Sequence, residues 1–186
     1  ENNAVSNVEI DNATRAVAFT NTTAAEVTSG GIQGDTVSLI NQGALVITGS
    51  ITADTDLTIS GDDTVSVESA AAGGEFILNA GGEISVGNKI ESTDTMTIGS
   101  SNSGNLIVST QSNGLVKSDT EVDLRALSGQ VQLQNGGSID TPSILLPDGS
   151  SIGLGDHASN RSEFLAALAQ LNALPFSATV PYEIVI

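Results

Sequence analysis

The stretch ITADTDLTISGDDTVSV, Ile51 to Val67, decides how this chain folds. It carries three apolar signals in quick succession: Ile51 alone, then Leu57 and Ile59 around Thr58, then Val65 and Val67 around Ser66. Apolar residues two apart belong to strands with one buried face, and the runs are too short and too β-branched for helix. Between them stand Asp54-Thr55-Asp56 and Gly61-Asp62-Asp63, residues that form turns by bonding their own backbone or by tolerating unusual φ. The reading is three short strands joined by three polar corners.

Working outward, the same unit recurs. The first pair repeats as Val37/Leu39, Leu57/Ile59, Phe76/Leu78, Met96/Ile98, Val122/Leu124 and Ile144/Leu146, at steps of 20, 19, 20, 26 and 22 residues. A second pair follows each: Leu45/Ile47, Val65/Val67, Ile84/Val86, Leu106/Val108, Val131/Leu133 and Ile152/Leu154. Ile32, Ile51, Ile90, Val116 and Ile139 precede the first pair, with Ala70 the weak member. Corners such as Asn41-Gln42-Gly43, Asn79-Ala80-Gly81-Gly82 and Asn102-Ser103-Gly104-Asn105 punctuate the units. A repeat of this length means stacked units, each unable to bury its apolar face alone.

In a β-sandwich successive strands would pair as hairpins, and the longer repeat would have no cause. The expected fold is therefore all-β: a three-sided parallel β-solenoid of about six coils over residues 32–155. Coils stack at ~4.8 Å, so six make a rod ~29 Å long. Inward positions form aliphatic ladders and outward ones Ser/Thr ladders, such as Thr58 and Thr97. Composition agrees. Of 186 residues 20 are Gly, 23 Ser and 18 Thr, while aromatics are 3%, and a narrow interior has no room for a ring on every rung. With 39% apolar residues the chain is too aliphatic for disorder.

The formal charge is −17, from 22 acids against Arg15, Lys89, Lys117, Arg125 and Arg161. Five scattered cations cannot neutralise a phosphate backbone, which excludes nucleic acid as a partner. No apolar run approaches the ~18 residues of a membrane span, so no membrane insertion is expected. Without cysteine, and with His157 the one histidine, disulfides, thiolate chemistry and histidine-cluster metal sites are closed. The chain starts at Glu1 rather than Met, which is read as processing.

The segments ITADTDLTI (51–59), IESTDTMTI (90–98) and DLRALSGQVQLQNGGSI (123–139) resemble the repeats of filamentous haemagglutinin-like β-helical repeat proteins. The resemblance spans about residues 32–155. It implies a right-handed β-helix and the life of a bacterial surface or secreted exoprotein, an adhesin. Two departures stand: the family's Asn-Pro-x-Gly motif is absent, and the C-terminal region does not continue the repeat.

The ends are read differently. Residues 1–31 hold two strand-like stretches, around Val8/Ile10 and Val17/Phe19, and form an irregular first coil, a cap or a reaching arm. In residues 156–186, Asn160-Arg161-Ser162-Glu163 opens a short helix with Phe164, Leu165, Leu168 and Leu171 on one face. That face covers the last coil or packs on a neighbour. Beyond Pro175 comes an extended connector, with Phe176 before the alternating Val180, Tyr182, Ile184 and Ile186. These five are the candidate assembly residues, adding as a strand to the chain's own solenoid or to the next molecule.

Chemistry on the repeat is sparse. Asp35, Asp54, Asp94, Asp119 and Asp140 recur near one corner, as solvated turn residues or, in a weaker reading, as ligands for Ca2+. No other cofactor is expected. His157, Asp156 and Ser159 are sequence neighbours and make no catalytic triad. Asn12, Asn21 and Asn160 begin glycosylation sequons at about the frequency chance gives. The expected function is that of an extracellular structural subunit, not an enzyme, which assembles with itself into a filament or surface layer. The alternative is an adhesin stalk that touches a glycan or cell surface, with a β-helical polysaccharide-active enzyme a distant third.

Overall fold

The computed structural model describes residues 7–10, 15–22, 27–102, 104–109, 114–134, 137–146 and 151–153. In chain order the strands are β1 (Asn7–Ile10), β2 (Val17–Asn21), β3 (Val27–Gly34), β4 (Val37–Asn41), β5 (Leu45–Ala53) and β6 (Leu57–Gly61). There follow β7 (Val65–Ala72), β8 (Phe76–Ala80), β9 (Ile84–Ser92), β10 (Met96–Ser100), β11 (Leu106–Ser109) and β12 (Leu115–Ser118). The series closes with β13 (Val122–Asp123), β14 (Val131–Gln134), β15 (Ser138–Asp140), β16 (Ser143–Leu145) and β17 (Ser151–Gly153).

They form a parallel β-solenoid of about six turns. Short strands make one sheet in the order β2-β4-β6-β8-β10-β13-β16-β17, and long strands make the other, β1-β3-β5-β7-β9-β11-β14, with β12 and β15 beside β9. From β1 to β16 each strand skips its sequence neighbour and pairs with the equivalent strand one turn on. The long strands bend where their register shifts, between Ile47 and Ser50 and between Val67 and Ser69. In later turns the chain breaks there, into β11 and β12, then β14 and β15. That bend turns two sheets into three sides.

All three sets of apolar positions read from the sequence point inward wherever their side chains are described, from Val37 and Leu39 through Ile144 and Leu146. The uneven repeat has a location too. Ile47 pairs with Val67, 20 residues on, but Ile51 pairs with Ala70, 19 on, so the residue is lost at the bend. Leu106 follows its partner Ile84 by 22 residues, and Leu115 follows Lys89 by 26, so the extra residues fall between the paired runs and leave the ladders in register. Within a paired run the count holds, because a one-residue slip would turn every side chain over.

The stack begins before residue 32. Val17 pairs with Val37 and Phe19 with Leu39, and β1 pairs with β3, so β1 and β2 already belong to the ladders. The other end corrects the sequence reading. Ile152 was expected to continue the second parallel ladder; instead β17 pairs antiparallel with β16, Ile152 opposite Ile144. Only residues 146–150 separate the two strands, a hairpin length, whereas a parallel return needs a whole coil. The helix expected from Asn160 and the connector strand lie outside the described residues.

Among the described residues Phe76 is the one ring in the buried core. The strand before it supplies Val65, Val67 and Ala70, where the equivalent strand one turn earlier supplies Leu45, Ile47 and Ile51. An interior of fixed width favours smaller residues near a ring, and Ala70 is the smallest member of its ladder. Phe76→Leu and Ala70→Ile are each expected to destabilise, the first by leaving a void and the second by ~1–3 kcal/mol of overpacking. Together they are expected to cost less than their sum, by ~1 kcal/mol or more, in a double-mutant cycle from urea unfolding. Strict additivity would mean the two sites do not share volume.

Corners stack as closely as strands do. The Gly81 amide donates to the Gly61 carbonyl, and a Cβ on Gly81 would lie 1.8 Å from the Asp62 carbonyl oxygen. At Gly82 the nearest atoms are 3.6 Å away, an ordinary contact. Gly81→Ala is expected to lower stability by ~2 kcal/mol or more and Gly82→Ala by less than ~0.5 kcal/mol, read from thermal or denaturant melts.

Candidate functional site

The polar features of the stack gather along the corner that leads from the bent strands to the short ones. Its inner position runs Gly34, Ala53, Ala72, Ser92, Ser118 and Thr141 up the coils, small at the first turns and hydroxylated at the last. The later corners are tied from inside. Ser118 Oγ donates to the Asp94 carbonyl at 2.7 Å and accepts the backbone N–H groups of Thr120 (3.2 Å) and Glu121 (2.9 Å). Ser92 Oγ also donates to the Asp94 carbonyl, and Thr141 Oγ1 donates to the Ser143 carbonyl at 3.1 Å. Buried hydroxyls of this kind satisfy backbone groups that a corner leaves without ladder partners.

Outside the same corner, register assembles charges far apart in sequence. Glu91 pairs with Lys117 and Lys117 with Asp140 on adjacent strands. Lys117 Nζ lies 3.0 Å from Asp119 Oδ1, and Lys89 pairs with Glu91. The Asp119 hydrogen bond raises the Lys117 ammonium above its ordinary value; burial opposes this, and the charges of Asp119, Glu91 and Asp140 add to it. The shift is upward, so whatever stability it carries is complete at neutral pH and lost only as pH rises through the raised value. Beside this group a groove of about 410 Å³ opens over Ala71 and Gly73, with Thr52 and Asp54 on one side and Glu91 and Thr93 on the other.

The five corner acids expected from the sequence do not converge. Asp35 and Asp54 occupy one corner position in successive turns, since the Asp54 amide donates to Gly34 and the Thr55 amide to Asp35. Gly73 and Thr93 then take that position before Asp119 returns to it. Asp94 sits one residue further on and accepts the Thr95 amide at 2.9 Å, a turn role. Asp140 lies on β15 next to Lys117 rather than at the corner. Among the described residues no three acidic or histidine side chains could hold a metal ion, so the Ca2+ reading gains no site there.

Asn21 is the first residue of a sequon, yet it is buried, and its Nδ2 donates to Asn41 Oδ1 at 2.7 Å across adjacent coils. Asn41 passes the chain on by donating to the Ala44 carbonyl at 2.7 Å. This amide ladder takes Asn21 out of reach of glycosylation in the folded chain. The sequons at Asn12 and Asn160, the set His157, Asp156 and Ser159, and the assembly residues Phe176, Val180, Tyr182, Ile184 and Ile186 lie outside the described residues.

The Asp123–Arg125 ion pair, like those of Lys89 and Lys117, went unread in the sequence. Asp123 faces outward on the short-strand sheet yet is nearly buried, because Arg125 closes over it: Nε to Oδ1 is 2.9 Å and Nη2 to Oδ2 is 2.6 Å. The Arg125 side-chain hydrogen bond holds the carboxyl below the usual Asp value; burial opposes this, and the Arg125 backbone N–H and charge assist. The folded value lies below the unfolded ~3.9, so the stabilisation is complete above that pH and lost as pH falls through the lowered value. Asp123→Asn is expected to reduce the melting temperature near neutral pH by a few degrees, with the gap closing as pH drops below ~3.9. A gap that stays constant into strong acid would assign the effect to packing instead.

With this geometry in hand, the comparisons with known proteins are brief: no family model, no curated protein and no solved structure matches the chain.

Proposed function

We propose that the chain is a structural, extracellular β-solenoid subunit whose copies join end to end into a filament or surface layer. The observation that carries this reading is how the sheets begin. β1 and β2 stand at the ends of their sheets and are paired on one side only among the described residues. A parallel ladder that stops leaves N–H and C=O groups aimed along the axis, at the spacing the next strand needs. The sequence of residues 176–186, with apolar Val180, Tyr182, Ile184 and Ile186 at alternate positions, has the pattern such a strand needs. Donation of that strand to the next molecule repeats without closing, which gives a fibre rather than a ring. The extracellular placement rests on the resemblance of the repeats to surface exoproteins.

Deletion of residues 177–186 is expected to give a dispersed protein that keeps its β circular-dichroism signal, since the described coils make their own ladders. Adding the free peptide to the full chain is expected to shorten its assemblies by occupying the acceptor edge. Electron microscopy reads both. Assemblies of unchanged length after the deletion would overturn strand donation, and a full chain that stays single at every concentration would favour the adhesin-stalk reading.

A further inference from the structure

The short-strand sheet finishes differently at its two ends. At one end β17 turns back on β16; at the other, β2 is paired on one side only among the described residues. The buried rows show how that edge differs from the rest of the sheet. Phe19, Leu39, Ile59, Leu78 and Ile98 form one ladder in register, and the last four are at most 1% exposed whereas Phe19 is only partly buried. Val17 begins the neighbouring ladder at 7%, where Val37, Leu57, Phe76 and Met96 are at 0%. The bent sheet offers a less regular edge. β1 meets β3 at three paired positions with a register shift between Val8 and Ile10, while β2 meets β4 over five positions without a break.

Backbone direction along this sheet is uniform. Buried residues send their N–H groups toward the following turn: Val17 donates to the Thr36 carbonyl, Val37 to Asp56, Leu57 to Glu75 and Phe76 to Thr95. N–H groups alternate in direction along a strand, so the exposed Ala18 and Thr20 aim theirs the other way, out of the edge. A strand that adds there in parallel obeys the same rule: its buried residues donate to β2, and its outward residues point away. Val180, Tyr182, Ile184 and Ile186 alternate, which puts Pro181 on the outward row. Proline has no N–H to give, and on that row none is needed; the same residue hinders a further strand from adding beyond.

We propose that β2 accepts residues 180–184 of the next copy in parallel, with Val180 beside Val17 and Tyr182 beside Phe19. This rests on the assembly reading and names where its donor strand lands. The register follows from the order of sizes. Val-Pro-Tyr at 180–182 repeats the Val-Ala-Phe of 17–19, which sets ring against ring one coil spacing apart, ~4.8 Å, within the range of aromatic pairs. Tyrosine suits an end rung, because its hydroxyl can reach water past the last coil. Glu183 falls beside the uncharged, exposed Thr20 and stays outward. A second copy is the occupant because of where the donor is rooted. β17, the last described strand before it, lies at the far end of the eight-stranded sheet, ~34 Å from β2, whereas in an end-to-end row the β17 end of one copy faces the β2 end of the next.

The chain has no cysteine, so disulfide trapping tests this directly. Two full-length variants, Thr20→Cys and Glu183→Cys, are mixed, oxidised mildly and run on non-reducing gels, with circular dichroism to confirm folding. Adjacent strands hold paired Cα atoms ~4.8 Å apart, inside the ~4.4–6.8 Å that a disulfide spans. Covalent dimers are expected from the mixture and not from either variant alone. With Glu9→Cys on β1 in place of Thr20→Cys the yield is expected to fall ~10-fold or more, since Cα atoms beyond ~7 Å are not bridged. Added to Glu183→Cys, Ile184→Pro removes an N–H aimed at β2 and is expected to abolish the cross-link, while Val185→Pro, whose N–H points away, keeps it. Equal effects of the two prolines would overturn the parallel register. Cross-linking through Glu9→Cys instead would overturn β2 as the acceptor and leave the assembly reading standing, and so would assemblies that need residues 177–186 yet give no mixed dimer. A disulfide that forms only inside one chain carrying both cysteines would overturn both, since the strand would then seal its own molecule.

Discussion

Parallel hydrogen bonding between successive coils is the constraint on which everything else in this protein depends. It places each residue ~4.8 Å from its equivalent one turn away, so any property chosen at one position is repeated along the axis. An aliphatic side chain then makes a dry ladder, and a glycine at a tight corner makes room for the turn beneath. The interior has fixed width, so a ring such as Phe76 is favoured where nearby ladder members are small, as Val65, Val67 and Ala70 are. Within a paired run a strand cannot gain a residue without turning its ladder inside out, so the bent strands change length only at the bend.

The same spacing governs the charges. Two carboxylates one coil apart repel by about 1 kcal/mol even in water, and a continuous stripe of them would oppose the stacking that creates it. The corner row relieves this by interruption: after Asp35 and Asp54 come Gly73 and Thr93 before Asp119. On the bent sheet the relief is a cation, Lys117 set between Glu91 and Asp140 in adjacent coils. On the short-strand sheet charge is simply absent until Asp123, which Arg125 covers. Each device keeps a highly acidic rod from working against its own ladders.

The ends obey different rules from the middle. A coil inside the stack has partners above and below, and among the described residues the two ends of the stack differ. β1 and β2 are each paired on one side only, in parallel, while β17 turns back against β16 as an antiparallel partner. A rod with unlike ends carries direction, and direction is what head-to-tail joining of copies requires.

The sequence alone determined the coil, its three sides and its core, because a period-two pattern inside a twenty-residue repeat has one compact solution, and nearly every inward residue follows from it. Ala70 was visible in the sequence as the exception in its ladder, and it is buried like the other members. The tertiary structure alone decided what depends on register between turns. That Glu91, Lys117 and Asp140 form one row and that the corner acids fail to converge both turn on insertions whose place in the coil the repeat length does not give. Ile152 shows the same limit: its spacing fitted a parallel ladder, and a five-residue connection made it a hairpin. Period is a property of the chain and is written in it, whereas register is a property of neighbouring turns and exists only once they stack.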